Sequence, residues 1–332
     1  MAGWRQYVWI PEKSIIRRLI KRRNRLERIF LAIYLTGDCH GGFKKIEYFV
    51  KKHNTAKSDV LIILGDAGID YYLNSRDNKI KKKLERLPIT LLLIHGNHEA
   101  RPNALEGYYE VEWNGGIVYV EEKYPSLLFA KDGEIYDLNG KAAIAIGGAY
   151  SVDKWFRLRV GLPWFSDEQP SDEIKAYVEK QLSGRGWEVD YIFSHTCPEY
   201  MMPTDLFLQG LDQSKVDRST ESWLETIAKK THFRKWYFGH FHANRSYVDF
   251  EMLYQEIKEL DSDEFIQRLG QPRFIEGDEV MFDTGDNAMI GRIRSVNACG
   301  TDNKPNEISY AVRGVDGSLY EEILESNLQL TK

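Results

Sequence analysis

The stretch Ile94-His95-Gly96-Asn97-His98-Glu99 decides the fold. It closes an apolar run that begins at Ile89, and so short a run reads as a strand covered by helices on both faces, as in a parallel sheet. The strand stops at Asn97 and His98. An amide oxygen and an imidazole then stand beyond the carboxyl end of a strand, which is where open α/β sheets bind ligands.

The same order of apolar run, glycine and metal-type ligand recurs along the chain. Ile29 to Leu35 leads into Thr36-Gly37-Asp38-Cys39-His40-Gly41-Gly42, Val60 to Leu64 into Gly65-Asp66, and Trp236 to Phe238 into Gly239-His240-Phe241-His242. Tyr191 to Phe193 leads into Ser194-His195 without the glycine. A glycine before the ligand permits a sharp turn, so the side chain can enter a shared pocket. Carboxylate and amide oxygens with imidazoles suit divalent Mn, Fe or Zn, and the absence of a thiolate cluster argues against structural zinc or an iron–sulfur site.

Taken together, Asp38-x-His40, Gly65-Asp66, Gly96-Asn97-His98-Glu99, His195 and Gly239-His240-x-His242 resemble the full signature of the calcineurin-like metallophosphoesterases, from about Ile29 to Ile257. The resemblance implies a four-layer α/β/β/α sandwich and a metal-dependent hydrolase of phosphoesters. It implies two divalent or trivalent ions, Mn first and Fe or Zn as alternatives. Asp38, His40 and His242 would hold one ion and Asn97, His195 and His240 the other, with Asp66 bridging. A metal-bridging hydroxide would be the nucleophile. His98 would assist the leaving group, its tautomer fixed by a carboxylate for which Asp70 is the first candidate and Glu99 the second. Arg101 would clamp phosphate.

One departure bears on substrate. The serine/threonine phosphatase branch has Gly-Asp-x-x-Asp-Arg-Gly, whereas Gly65-Asp66-Ala67-Gly68-Ile69-Asp70-Tyr71 places its acid one position later and has no arginine. The expected substrates are phosphomonoesters, on a small molecule or a phosphoprotein. The alternatives are a phosphodiesterase acting on cyclic nucleotides or nucleic acid, and a partner-binding scaffold with incidental hydrolysis.

The rest of the chain frames this core. A formal net charge of −5 gives no molecule-wide footprint for nucleic acid, although nucleic acid stays open as a substrate. Cys39, Cys197 and Cys299 fit no disulfide framework, so a reducing cytoplasm is expected, and no run is long enough to span a bilayer. Residues 1–28 read as a basic extension with helical spacing, either packed on the domain or free to touch a membrane or nucleic acid.

From residue 29 the order is strand, helix, strand, helix, strand, with helices expected over Phe43–Lys52 and Ile80–Leu87. Asp132-Gly133 and Asn139-Gly140 mark hairpins in a second sheet. Ser151 to Pro170 reads as a loop whose Trp155, Phe156, Trp164 and Phe165 either close the core or form a lid. Helices follow over 171–182 and 217–230. Residues 29–257 form the metallophosphoesterase domain, 258–271 a linker, and 272–332 a small SH3-like barrel of short alternating strands. The barrel's acidity favours a protein partner over a phosphate backbone.

Overall fold

Alternation along the strands builds the layers of this computed structural model, which describes residues 31–207, 212–262, 265–267, 274, 277–283, 288–297 and 308–331. The basic extension 1–28 and Cys299 lie outside those residues. In chain order come β1 (Ile33–Thr36), α1 (Lys44–His53), β2 (Val60–Ile63), α2 (Ser75–Leu84), β3 (Thr90–Leu93), β4 (Tyr108–Trp113), β5 (Gly116–Glu121) and β6 (Leu127–Ala130). Next are β7 (Ile135–Leu138), β8 (Lys141–Ile146), α3 (Lys154–Val160), α4 (Asp172–Gly184), β9 (Tyr191–Ser194), α5 (Ser219–Lys230), β10 (Lys235–Phe238), β11 (Arg245–Ser246) and β12 (Phe250–Met252). β13 (Ile257–Glu259) and β14 (Phe265–Gln267) complete the sandwich.

One sheet has the order β14-β13-β1-β2-β3-β6-β5-β4 and the other β11-β12-β10-β9-β8-β7. β1, β2, β3 and β6 pair in parallel, as do β8, β9, β10 and β12. Ile33, Leu35, Val60, Ile62 and Leu92 point between the sheets, where they meet Tyr136, Ala143, Tyr191 and Phe193. The alternate residues Leu61, Ile63, Leu91 and Leu93 turn outward onto Ile46, Phe49 and Val50 of α1 and Leu84 of α2. On the far face, Ile144, Ile192, Trp236 and Phe238 carry Val178 and Leu182 of α4 with Leu224 and Ile227 of α5. A period of two thus gives each sheet two buried faces, and the result is an α/β/β/α sandwich.

Trp236 locks the outer face of the second sheet. It is fully buried, stacks on Phe250 at 5.7 Å, and donates from Nε1 to Ser194 Oγ at 2.6 Å. Trp236→Ala should cost about 3–5 kcal/mol in urea unfolding; a loss under about 1 kcal/mol would contradict the packing described.

Three local expectations change. α2 starts at Ser75 rather than Ile80, because Asn74 and Asp77 form a capping box that satisfies the first turn. The stretch expected as a loop contains α3, ended by Gly161 at φ 72°. The expected linker contributes strand residues at 258–259 and 265–267, since β13 pairs antiparallel with β1, Tyr34 opposite Glu259, and β14 pairs with β13. Paired backbone from Ile257 to Glu259 therefore extends the sandwich past the boundary drawn at residue 257.

The C-terminal strands β15 (Glu279–Asp283), β16 (Ala288–Asn297), β17 (Ser309–Gly314), β18 (Leu319–Leu324) and β19 (Leu328–Leu330) form a separate antiparallel sheet, ordered β18-β17-β16-β15-β19. Its own core includes Phe274, Val280, Phe282, Ile293, Tyr310, Val312 and Leu328. Among the described residues no helix is long and apolar enough to cross a membrane.

Candidate metal centre

The segments that follow β1, β2, β3, β9 and β10 converge at one edge of the sandwich. Backbone bonds tie them together: Cys39 and His40 both donate to the Asp66 carbonyl, at 2.9 and 2.8 Å. Each central carboxylate then spends one oxygen on backbone. Asp38 Oδ1 accepts from His240 N at 2.9 Å, and Asp66 Oδ1 from His98 N at 2.8 Å.

The second oxygens face imidazoles. Asp38 Oδ2 is buried and accepts no hydrogen bond among the described residues, yet it lies 3.2 Å from His242 Nε2 and 3.7 Å from His40 Nε2. Asp66 Oδ2 lies 3.9 Å from His40 Nε2 and 4.0 Å from His98 Nε2, while its Oδ1 is 3.5 Å from His195 Nε2. The Nε2 atoms of His40 and His242 meet at 2.9 Å, and His195 Nε2 is 2.8 Å from Asn97 Oδ1. Three sets, Asp38/His40/His242, His40/Asp66/His98 and Asp38/Asp66/His195, each bring one ligand atom per residue within 4.8 Å of the others. His240 belongs to none of these sets and packs its ring edge-on against His195, centroids 4.9 Å apart.

The backbone is bent to achieve this. Asp66, His40, His240 and His242 have φ of 47°, 46°, 67° and 52°, a region that side chains with a Cβ rarely occupy. Strain of this kind, of order 1–3 kcal/mol per residue, concentrates at functional sites.

Electrostatics fit a site built for cations. Burial would raise the Asp66 carboxyl, but His195, His98 and His40 hold it well below the usual carboxylate range. Burial opposes charge on His195 too, and Asp66 and Asp38 nevertheless lift it to about 9. Burial and the His195 charge depress His240 to about 3. Burial likewise depresses His98, to about 4. Burial and then Asp66 push the Glu99 carboxyl up to about 8. Without metal, carboxylates and imidazoles share protons to balance buried charge; divalent ions bind to deprotonated ligands and displace those protons. The orphaned Asp38 Oδ2 and the facing imidazoles of His40 and His242 are the specific fit to such ions.

Three expected supporting residues take other partners. Asp70 accepts from Tyr108 Oη at 2.5 Å and pairs with Lys81 Nζ at 2.6 Å, so it is bound to α2 and β4 and not to His98. Glu99 accepts from Gly96 N at 2.9 Å and Gly68 N at 3.2 Å, bracing the loops beneath the site. Arg101 is buried against Asp132 and the Asp167 carbonyl, so the expected phosphate clamp is drawn into the protein.

Three further groups around His98 were not singled out from sequence. Asp153 Oδ1 lies 4.0 Å from His98 Nε2, and Arg157 Nη1 lies 3.5 Å from His98 Nδ1. The Tyr71 ring stacks at 6.1 Å on the His98 ring. Their available signal was the charge pattern Asp153-Lys154-x-x-Arg157, an i,i+4 acid–base pair that belongs on a helix. Of the four rings expected to close the core or form a lid, Trp155 and Phe156 are 66% and 58% exposed on α3, whereas Trp164 donates from Nε1 to buried Glu168 at 2.7 Å.

Among solved structures, TT1561 of Thermus thermophilus is similar at 13% identity and a TM-score of 0.40, over 68% of this chain and 88% of that one. The phosphopantetheinyl hydrolase from Mycobacterium tuberculosis is similar at 12% identity and a TM-score of 0.34, over 73% of this chain and 99% of that one. A comparison with curated protein sequences finds no match. The family model for calcineurin-like phosphoesterases matches residues 31–244, which span every ligand-bearing strand end, and the chain therefore belongs to the calcineurin-like phosphoesterase family.

Proposed function

We propose that this metal-dependent phosphoesterase acts on phosphomonoesters at a site holding two Mn ions. Asp38, His40 and His242 would hold one ion, Asn97, His195 and His240 the other, and Asp66 would be shared. The observation that carries this reading is Asp66 itself, a buried carboxylate whose two oxygens lie within 4.0 Å of His40, His98 and His195 at once. A bound pair of divalent ions supplies Lewis acidity and neutralises phosphoryl charge. The chain's own residues orient the ester. His98 turns Nε2 toward the Asp66 side, where it can donate to an ester oxygen; Asp153 flanks the same nitrogen, Arg157 faces Nδ1 and Tyr71 stacks on the ring. His40 and His242 are exposed, so solvent reaches the site at their rings. The expected ester carries one substituent, on a small molecule or a phosphoprotein.

A phosphodiester substrate is the second reading, favoured by the withdrawal of Arg101 into its pair with Asp132, since a monoester dianion asks more of a dedicated cation. The C-terminal sheet, read as an SH3-like barrel, would meet a protein partner. The free, buried thiols of Cys39 and Cys197 fit a reducing cytoplasm. The test is Mn-dependent hydrolysis of para-nitrophenyl phosphate beside bis-para-nitrophenyl phosphate. Preference for the monoester is expected; preference for the diester would replace the first reading by the second, and silence on both with Mn bound would sink the two together.

A further inference from the structure

We propose that Arg157 is the positioning residue of this centre: one donor-only guanidinium sets both the tautomer of His98 and the orientation of the Asn97 amide. An imidazole can carry its proton on either nitrogen, and an amide can present either its oxygen or its NH2 group. Both choices matter at a metal site. The inference rests on the reading of the strand-end cluster as a phosphoesterase centre, and its test does not require turnover.

Arg157 is the single buried residue of α3, 1% exposed on a helix that leaves Trp155, Phe156, Leu158 and Val160 to solvent. The helix is thus held beside His98 by the side chain that reaches inward. Nη1 lies 3.5 Å from His98 Nδ1 and 3.3 Å from the Pro163 carbonyl. Nε lies 3.0 Å from Asp153 Oδ1, and Nη2 donates to Ser151 Oγ with Glu168 Oε2 3.8 Å away.

A guanidinium has no lone pair to offer and cannot lose its proton. His98 Nδ1 must therefore face it as an acceptor, which leaves the proton on Nε2. That proton points between Asp66 Oδ2 and Asp153 Oδ1, each 4.0 Å away, and both oxygens favour it there. The second choice follows through Ser151. A hydroxyl has one proton, and Ser151 gives it to the buried Glu168 carboxylate, so Oγ faces both Arg157 Nη2 and Asn97 Nδ2, the latter at 2.8 Å, as an acceptor. With its NH2 group spent on Ser151, Asn97 presents Oδ1 to His195 Nε2 at 2.8 Å, on the side where the ligands converge.

The family resemblance leads one to expect a carboxylate behind this histidine. Here Asp70 and Glu99 are occupied elsewhere, and an arginine stands at the Nδ1 face. The sign of the partner is reversed, so the nitrogen that bears the proton is reversed with it.

The experiment is long-range 1H–15N spectroscopy of histidine-labelled, metal-free protein, with His98→Asn assigning the signal, together with Mn binding by calorimetry. Wild type should show His98 as a single Nε2–H tautomer. In Arg157→Met the signal should become a mixture, with Arg157→Lys restoring it in part, and Ser151→Ala should weaken Mn binding by about 10–100-fold without disturbing the His98 signal. A folded Arg157→Met protein that keeps the single Nε2–H tautomer would overturn the proposal. So would an unchanged Mn affinity in Ser151→Ala, which decides the matter if Arg157→Met fails to fold.

Discussion

Replacing Asp66 by asparagine should lower kcat for phosphoester hydrolysis by about 10³-fold, the equivalent of about 4 kcal/mol of transition-state charge stabilisation. The substitution keeps the shape and keeps an oxygen able to accept from His98 N, now at 2.8 Å. What it removes is the charge. Asp66 is the group whose oxygens approach His40, His98 and His195 together, and its anion is a principal cause of the raised His195 value of about 9. An amide cannot balance two cations as a shared ligand, so Mn affinity should fall with kcat. Steady-state kinetics at saturating Mn, beside circular dichroism to confirm folding, measure the effect. A variant within about tenfold of wild type would show that no shared carboxylate is needed.

Gly65→Ala should damage both the fold and the site without replacing any ligand. Gly65 sits at φ 91°, and a Cβ there would stand 2.0 Å from His195 Nδ1 and 2.5 Å from its Cγ. His195 cannot retreat. It is fully buried, and its Nδ1 lies 2.8 Å from the Leu64 carbonyl while its Nε2 meets Asn97. Overpacking and left-handed strain together should cost about 3 kcal/mol in denaturant unfolding. Displacement of His195 should also cut Mn binding and hydrolysis. Gly140→Ala separates the two causes, because Gly140 has φ 81° but nothing within 4 Å of its Cβ position. That control should cost about 1 kcal/mol and leave hydrolysis intact. Equal losses in both variants would mean that strain alone, not the approach of His195, explains the glycine.

The strand ends were readable because their physics is local. An apolar run of three to seven residues, stopped by a ligand and in four cases of five by a glycine before it, fixes both a buried strand and the direction in which its last side chain leaves. Asp38, Asp66, Asn97, His195 and His242 are found where that grammar puts them. The support behind them was not readable, because it depends on contacts far apart in sequence. Lys81 claims Asp70 from across a helix, Asp132 claims Arg101 from a neighbouring strand end, and nothing adjacent to either residue announces the claim.

Arg157 shows the opposite case. Its stretch reads as a loop because aromatic residues without apolar periodicity give no buried face, and a helix anchored by one buried arginine has no such face to show. The strands β13 and β14 were missed for a related reason. They lie where charged residues are dense, and Lys258 is buried with Glu251 Oε2 accepting from its Nζ at 2.9 Å.

The most direct test of the dinuclear centre is the Mn content of the reconstituted protein, read by calorimetry and by electron paramagnetic resonance. The account predicts about two Mn per chain, with the spectrum of an exchange-coupled pair, and loss of that coupling in Asp66→Asn. A single uncoupled Mn per chain, with hydrolysis at full rate, would contradict it.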